Sequence, residues 1–358
     1  MQTLHSRMKP MMYFCHLYGM GFCPNNFRII YFLLIFINVS VSFHIYYTMF
    51  VYVQTHLSSM FNLSTVTSVV RLHIRFLAHP LMIVFLSVKK TTILNYISVF
   101  DSLVLRINKV SLTPYTIHFL SWIITTLLAE LIQIMAFHYR TDLQYFTAWS
   151  TAQYVFPNVW LVTPVLIYIF LISLVSNGIH EVNNNITSIR AWRIHSLKWK
   201  KLQCMSIVLT NSVFGNIIII FIMYTIMDLT FFFYATYLSW INNFPNEIVA
   251  YIIILFVRAG LMFHLFRTTQ SCKLEQQMKK TQMILNGIDK TTVFDYKEFQ
   301  FTSLYMLHID FSFTPCNIFD ITYRNLITIF TISAAYSTFQ IQMNPATDEK
   351  DTNAFEWH

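Results

Sequence analysis

Seven apolar runs of spanning length follow one another along the chain, near 27–53, 64–88, 114–137, 150–176, 206–237, 247–269 and 319–343. A helix needs roughly 20 apolar residues to cross a bilayer core. The first run, "IIYFLLIFINVSVSFHIYYTMFVYV", is too long for a signal-peptide core and lacks a small-residue cleavage site, so it reads as an uncleaved span. The second is interrupted by Arg71, His73, Arg75 and Pro80, and the sixth holds Arg258.

The seventh run has a different character. It ends in "AAYSTFQIQM", where Tyr336, Thr338, Gln340 and Gln342 crowd together. Gln342, Thr338, Ala335, Thr331 and Thr328 are spaced to share one helix face. Most other positions are large and apolar, such as Ile327, Ile329, Phe330, Ile332, Phe339 and Ile341. Two readings stand at this point. Small residues let helices approach closely. Alternatively, hydroxyl and amide groups on one face line water and replace part of an ion's hydration shell.

Composition turns these runs into a class. The 358 residues are 55% hydrophobic and 11% charged, against about 25% charged in a soluble domain. A water-facing surface cannot be built from so few charges, and an all-α polytopic membrane protein is expected.

The net charge of +8 is distributed, not clustered. Of the 24 Lys and Arg residues, 3 lie in the N-terminal segment, 4 between Lys89 and Lys109, 5 between Arg190 and Lys201, and 7 from Arg267 to Arg324. The alternate loops and the tail hold only Arg140 and Lys350. Such alternation fits a cytoplasmic N-terminus, seven crossings and an extracellular C-terminus. It also removes any need for a nucleic-acid partner. The five cysteines (Cys15, Cys23, Cys204, Cys272, Cys316) all fall on the cytoplasmic side of this scheme. The sequon Asn62-Leu63-Ser64 falls outside, although Asn38-Val39-Ser40 and Asn185-Ile186-Thr187 are chance matches. A G-protein-coupled receptor has the opposite orientation. The chain also lacks an Asp-Arg-Tyr at the third span and an Asn-Pro-x-x-Tyr at the seventh.

Tyr336, five residues, then Gln342-Met343 resembles the signature of the insect gustatory receptors: Thr-Tyr, five mostly hydrophobic residues, then Gln-Phe at the end of the seventh span. Ala335 stands where the pattern has Thr, and Met343 where it has Phe. The intervening Ser337-Thr338-Phe339-Gln340-Ile341 is more polar than the pattern. The resemblance covers the whole chain in layout and chiefly the last 35 or so residues in sequence.

The resemblance implies a ligand-gated, non-selective cation channel similar to the insect odorant receptors. Four subunits, alike or mixed with other gustatory receptors, would surround one pore in the plasma membrane of chemosensory neuron dendrites. Thr328, Thr331, Ala335, Thr338 and Gln342 would line that pore. Tyr336 lies about 240° round the helix from Gln342, so it and Met343 would pack instead. The resulting layout is a cytoplasmic segment 1–26, six spans with an outward ligand pocket over 27–269, a cytoplasmic helical region for subunit contacts over 270–318, a pore helix over 319–343 and an extracellular tail over 344–358. That tail carries Asp348, Glu349, Asp351 and Glu356 against Lys350, which would raise the local cation concentration.

Ionisable residues inside spans mark function by default. Arg71, Arg75, Glu130 and Arg258 fall toward the outer half of the bundle, with Asp228 deeper. Aromatics gather at the same level, including Tyr154, Trp160, Tyr234 and Tyr237. These are the candidate pocket for a small-molecule tastant, of bitter or contact-chemosensory type because the pocket is greasy and basic. Arg71 or Arg75 paired with Glu130 in a structural role is the competing reading.

The chain shows no His-x-x-His or His-x-x-x-His box, no Cys-x-x-Cys pair and only six glycines. No enzyme, cofactor or metal is expected. A secondary transporter of a small organic solute is the alternative, supported by Pro80, Pro157 and Pro164 within spans.

Overall fold

The computed structural model describes residues 63–103, 113–141, 148–271, 274–287, 293–308 and 312–343, with scattered positions among residues 8–15 and 32–51. Side chains of some of these, among them Arg75, Trp149, Tyr154 and Phe156, are outside the description. Most of segment 1–26, much of the first predicted span and the tail 344–358 also lie outside the described residues.

From Leu63 onward the described residues form nine α-helices and no strand. They are α1 (Leu63–Leu103), α2 (Thr113–Thr141), α3 (Ala148–Asn184), α4 (Ile189–Val208), α5 (Gly215–Ile241), α6 (Pro245–Ser271), α7 (Leu274–Asn286), α8 (Val293–His308) and α9 (Tyr323–Met343). Five contain stretches long and apolar enough to cross a membrane: Leu77–Phe100, Pro114–Ala136, Pro157–Asn184, Gly215–Ile241 and Pro245–Gln270. The 21-residue α9 has the length but not the apolarity of those five.

α3 is the axis of the bundle. Nearly nine-tenths of its apolar window is buried, against about two-fifths for the windows of α1, α2 and α6. A helix apolar all round is stable only when other helices surround it, and α1, α2, α4, α5 and α6 all pack on α3. Met8, Met11, Met12 and Cys15 lie against Ile93 and Ile97 of α1 and Ile167 and Leu171 of α3. These four residues therefore sit beside the C-terminal part of α1.

Two elements differ from the sequence expectation. α1 runs for 41 residues, about 60 Å at 1.5 Å per residue, and its apolar window is Leu77–Phe100, not 64–88. Lys89 and Lys90, expected in a loop, continue the helix. The stretch 189–205, also expected as loop, is helical, and α4 runs on through Ile207 and Val208 of the fifth apolar run. Ser188 caps it by accepting the Ala191 N–H at 3.1 Å, and Trp192 and Trp199 bury its inner face.

α4 joins α5 through a π turn, Leu209–Val213. The Phe214 N–H bonds to the Leu209 carbonyl five residues back. This turn holds the linker that leads into α9. Asn211 Nδ2 donates to the Ser312 carbonyl at 3.2 Å, and Cys316 Sγ donates to Asn216 Oδ1 at 2.7 Å. Gly215 lets the linker approach: a Cβ there would lie 2.9 Å from Cys316 Sγ and 3.0 Å from its backbone nitrogen. Cys316 and Asn317 occupy the left-handed region, φ 50° and 58°. π turns inside helices often mark functional positions.

Candidate functional site

Among the described residues only one face of α9 is packed. Leu326, Ser333, Ser337 and Gln340 are buried, mainly against α5. The Ser337 hydroxyl donates to the Thr230 carbonyl of α5 at 3.0 Å and to its own helix at Ser333, 2.8 Å. Small side chains here bring the two backbones together, as in membrane interfaces generally.

The predicted stripe Thr328, Thr331, Ala335, Thr338 and Gln342 is exposed at every position in the single chain. On a helical wheel it is centred roughly 160° from the packed face. The three threonine hydroxyls donate back to carbonyls four residues earlier, at 2.9–3.0 Å. Their oxygen lone pairs remain outward as acceptors. Tyr336 is 40% exposed, with its ring centroid 6.4 Å from that of Phe339. Tyr336, Phe339, Ile332 and Met343 form an exposed apolar flank beside the stripe.

Packing and water-lining are rival expectations for the stripe. The packed face lies on the other side of the helix, mainly against α5, and the stripe is exposed among the described residues. The packed face, Ser333, Ser337 and Gln340, was missed, although its spacing of four and three residues was visible.

The charges inside the spans converge. Asp228 of α5 accepts from Arg71 Nε of α1 at 2.7 Å on one oxygen and from Arg258 Nε of α6 at 3.2 Å on the other. Arg258 Nη2 also donates to Glu130 Oε1 of α2 at 2.6 Å and to the Tyr224 hydroxyl at 3.1 Å. Tyr224 in turn donates to Asn158 of α3. The Arg71 guanidinium carbon lies 3.9 Å from the Phe231 ring centre and 4.7 Å from that of Phe232, close enough for cation–π attraction.

Two arginines and two carboxylates balance, and all four side chains are almost fully buried. The network ties α1, α2, α5 and α6 together, with α3 joined through Asn158. Arg71 Nη2 and Arg258 Nη1 are buried without a hydrogen-bond partner among the described residues. The charged residues are visible in the sequence, but Asp228 is not among the residues expected in the pocket, and the expected structural partners of Glu130 are Arg71 or Arg75. Arg258 takes that place, and Arg71 takes Asp228.

Of the candidate aromatics, Trp160 is buried and stacks on His79, with ring centroids 4.0 Å apart and planes at 11°. Tyr234 is buried and Tyr237 half-buried on α5. Tyr251 of α6 meets Phe232 at 5.7 Å. Two apolar cavities of about 20 and 10 Å³ lie among α1, α3 and α4 and the N-terminal methionines. Each is about the size of a single water, so these are packing gaps. Among the described residues no group of three or more metal-ligating side chains occurs.

No protein-family model matches the sequence, and no curated protein matches it. Solved structures do. The insect olfactory receptor OR5 from Machilis hrabei superimposes with a TM-score of 0.72 at 10% identity, over 95% of this chain and 99% of that one. The same receptor in complex with eugenol gives 0.69 at 10% identity, over 95% and 100%. Agreement of this extent at so low an identity is agreement of architecture. The chain has the fold of an insect olfactory receptor.

Proposed function

We propose that this protein is a gustatory receptor, a ligand-gated non-selective cation channel opened by small tastants of the bitter or contact-chemosensory kind. One observation carries the reading. Among the described residues the polar stripe of α9 is left uncovered while the opposite face is packed and hydrogen-bonded. Large apolar residues would serve a helix facing only lipid. A row of outward hydroxyl and amide groups fits a shared aqueous path.

Four copies, alike or mixed, would bring four such stripes together, with Gln342 ringing the outer mouth. The Tyr336–Phe339–Met343 flank would then pack against the neighbouring subunit. The N-terminus would be cytoplasmic and the C-terminus outside, in the plasma membrane. The fold shared with a receptor that binds eugenol supports a small-molecule stimulus.

The ligand region would lie on the outer side of the ionic network, among Trp160, Tyr234 and Tyr237. There the spare N–H groups of Arg71 and Arg258 would serve a polar acceptor on an otherwise apolar ligand. Such a ligand opens the pore only by the difference in its affinity for the open and closed states.

The test is conduction. In a reconstituted receptor, Gln342→Ala and Gln342→Glu are expected to change unitary conductance or cation preference without loss of surface expression. Ligand-evoked flux with no unitary current would instead identify a transporter.

A further inference from the structure

We infer that His118 and His264 form a binding site for a divalent late transition-metal ion, of the Cu²⁺ or Ni²⁺ type, that clamps α2 to α6. The two Nε2 atoms lie 2.8 Å apart. Two imidazole nitrogens each about 2.0–2.1 Å from one ion stand about 2.9 Å apart at a right angle and about 3.3 Å apart in a tetrahedron. The pair therefore matches one edge of a tetragonal coordination sphere.

Both rings are held in place. Trp122 Nε1 lies 3.2 Å from His118 Nε2. An indole N–H only donates, so this His118 nitrogen carries a lone pair and the ring keeps its proton on Nδ1. In the absence of an ion, His264 Nε2–H is the second donor to the same lone pair. The Trp122 ring also lies nearly parallel to His264, with centroids 5.8 Å apart and planes at 16°. It closes over Gly260, where a Cβ would come within 3.2 Å of the indole. Ligands fixed in advance lose little freedom on binding.

Among the described residues His118 is exposed and His264 half-exposed. They lie four residues inside Pro114 and six inside Gln270, the ends of their apolar windows, roughly 6–9 Å along each helix. Binding moves the His264 proton from Nε2 to Nδ1 and displaces the indole N–H from the shared lone pair. Waters complete the sphere.

The test uses the full-length protein in detergent, titrated with Cu²⁺. Binding is read by electron paramagnetic resonance and by quenching of Trp122 fluorescence. One equivalent with nitrogen hyperfine coupling is expected. Affinity should fall on the order of tenfold or more in His118→Gln and in His264→Gln. Trp122→Phe should keep the binding and lose the quenching. A double His→Gln variant that binds Cu²⁺ as tightly as the wild type would overturn the inference, because the ion would then be adventitious. A second measurement needs no variant: Ni²⁺ should protect both histidines of the wild-type protein from diethylpyrocarbonate. Equal modification with and without Ni²⁺ would overturn it too.

Discussion

The Ser337 hydroxyl meets the Thr230 carbonyl at 3.0 Å, and this contact between α9 and α5 sets the rotation of α9 about its own axis. Turning α9 away from it would bury the polar stripe and expose Ser333 and Gln340. Ser337→Leu forces a large side chain into a close backbone approach, which costs about 1–3 kcal/mol in a packed core. Ser337→Ala loses one shared hydrogen bond, about 1 kcal/mol. We expect Ser337→Leu to abolish evoked current while Ser337→Ala retains it. Whole-cell recording at matched surface expression checks this.

Asp228 holds two arginines, so its loss leaves two buried charges short of a partner. Asp228→Asn is expected to destabilise the detergent-solubilised protein by about 3–5 kcal/mol, the usual cost of breaking a buried ion pair from one side. Replacing the whole network by apolar residues (Arg71→Met, Glu130→Leu, Asp228→Leu, Arg258→Met) should recover most of that loss. A thermal melt of the two variants beside the wild type decides it. If the quadruple variant is well folded but no longer answers its ligand, the network serves recognition as well as the fold.

Gly215 and Gly178 offer a paired comparison. A Cβ at Gly178 would meet the flexible end of Leu202 at 3.3 Å, whereas at Gly215 it would meet the Cys316 backbone nitrogen at 3.0 Å. Gly178→Ala is expected to be tolerated. Gly215→Ala should displace the linker that enters α9 and lower the melting point by the equivalent of about 1–3 kcal/mol. Equal melting shifts in the two variants would contradict the close approach.

Cys316 lies in that linker, outside the apolar windows. Its side chain is exposed in part, yet burial pushes the thiol above its ordinary value more than nearby Lys89 pulls it down. The thiolate is the reactive form, so alkylation should be slow at neutral pH and should accelerate as pH rises past the usual thiol range. The rate of maleimide labelling against pH, followed at Cys316 by mass spectrometry, tests this. A pH-independent fast rate would contradict it.

Much of this architecture was legible in the sequence because hydropathy reports which stretches avoid water. It does not report where a helix stops. α1 continues through Lys89 and Lys90, which fall inside its apolar window Leu77–Phe100, and α4 forms over a basic stretch, because caps and packing on partner helices decide where a helix ends. The Arg258–Glu130 contact joins residues 128 apart in sequence, and no local spacing encodes such a pair. The charges could be seen to need partners, but the choice among Arg71, Arg75 and Arg258 depended on the rotation of whole helices. The stripe of α9 was legible for the opposite reason, since its spacing is confined to one helix.

Cysteines placed one at a time at positions 331, 335, 338 and 342, with others at 333 and 340, would test the pore assignment most directly. Current is recorded while a charged, water-soluble thiol reagent is applied. The stripe positions are expected to react and to alter the current, and positions 333 and 340 to stay silent. Unreactive stripe positions while current flows would contradict the account.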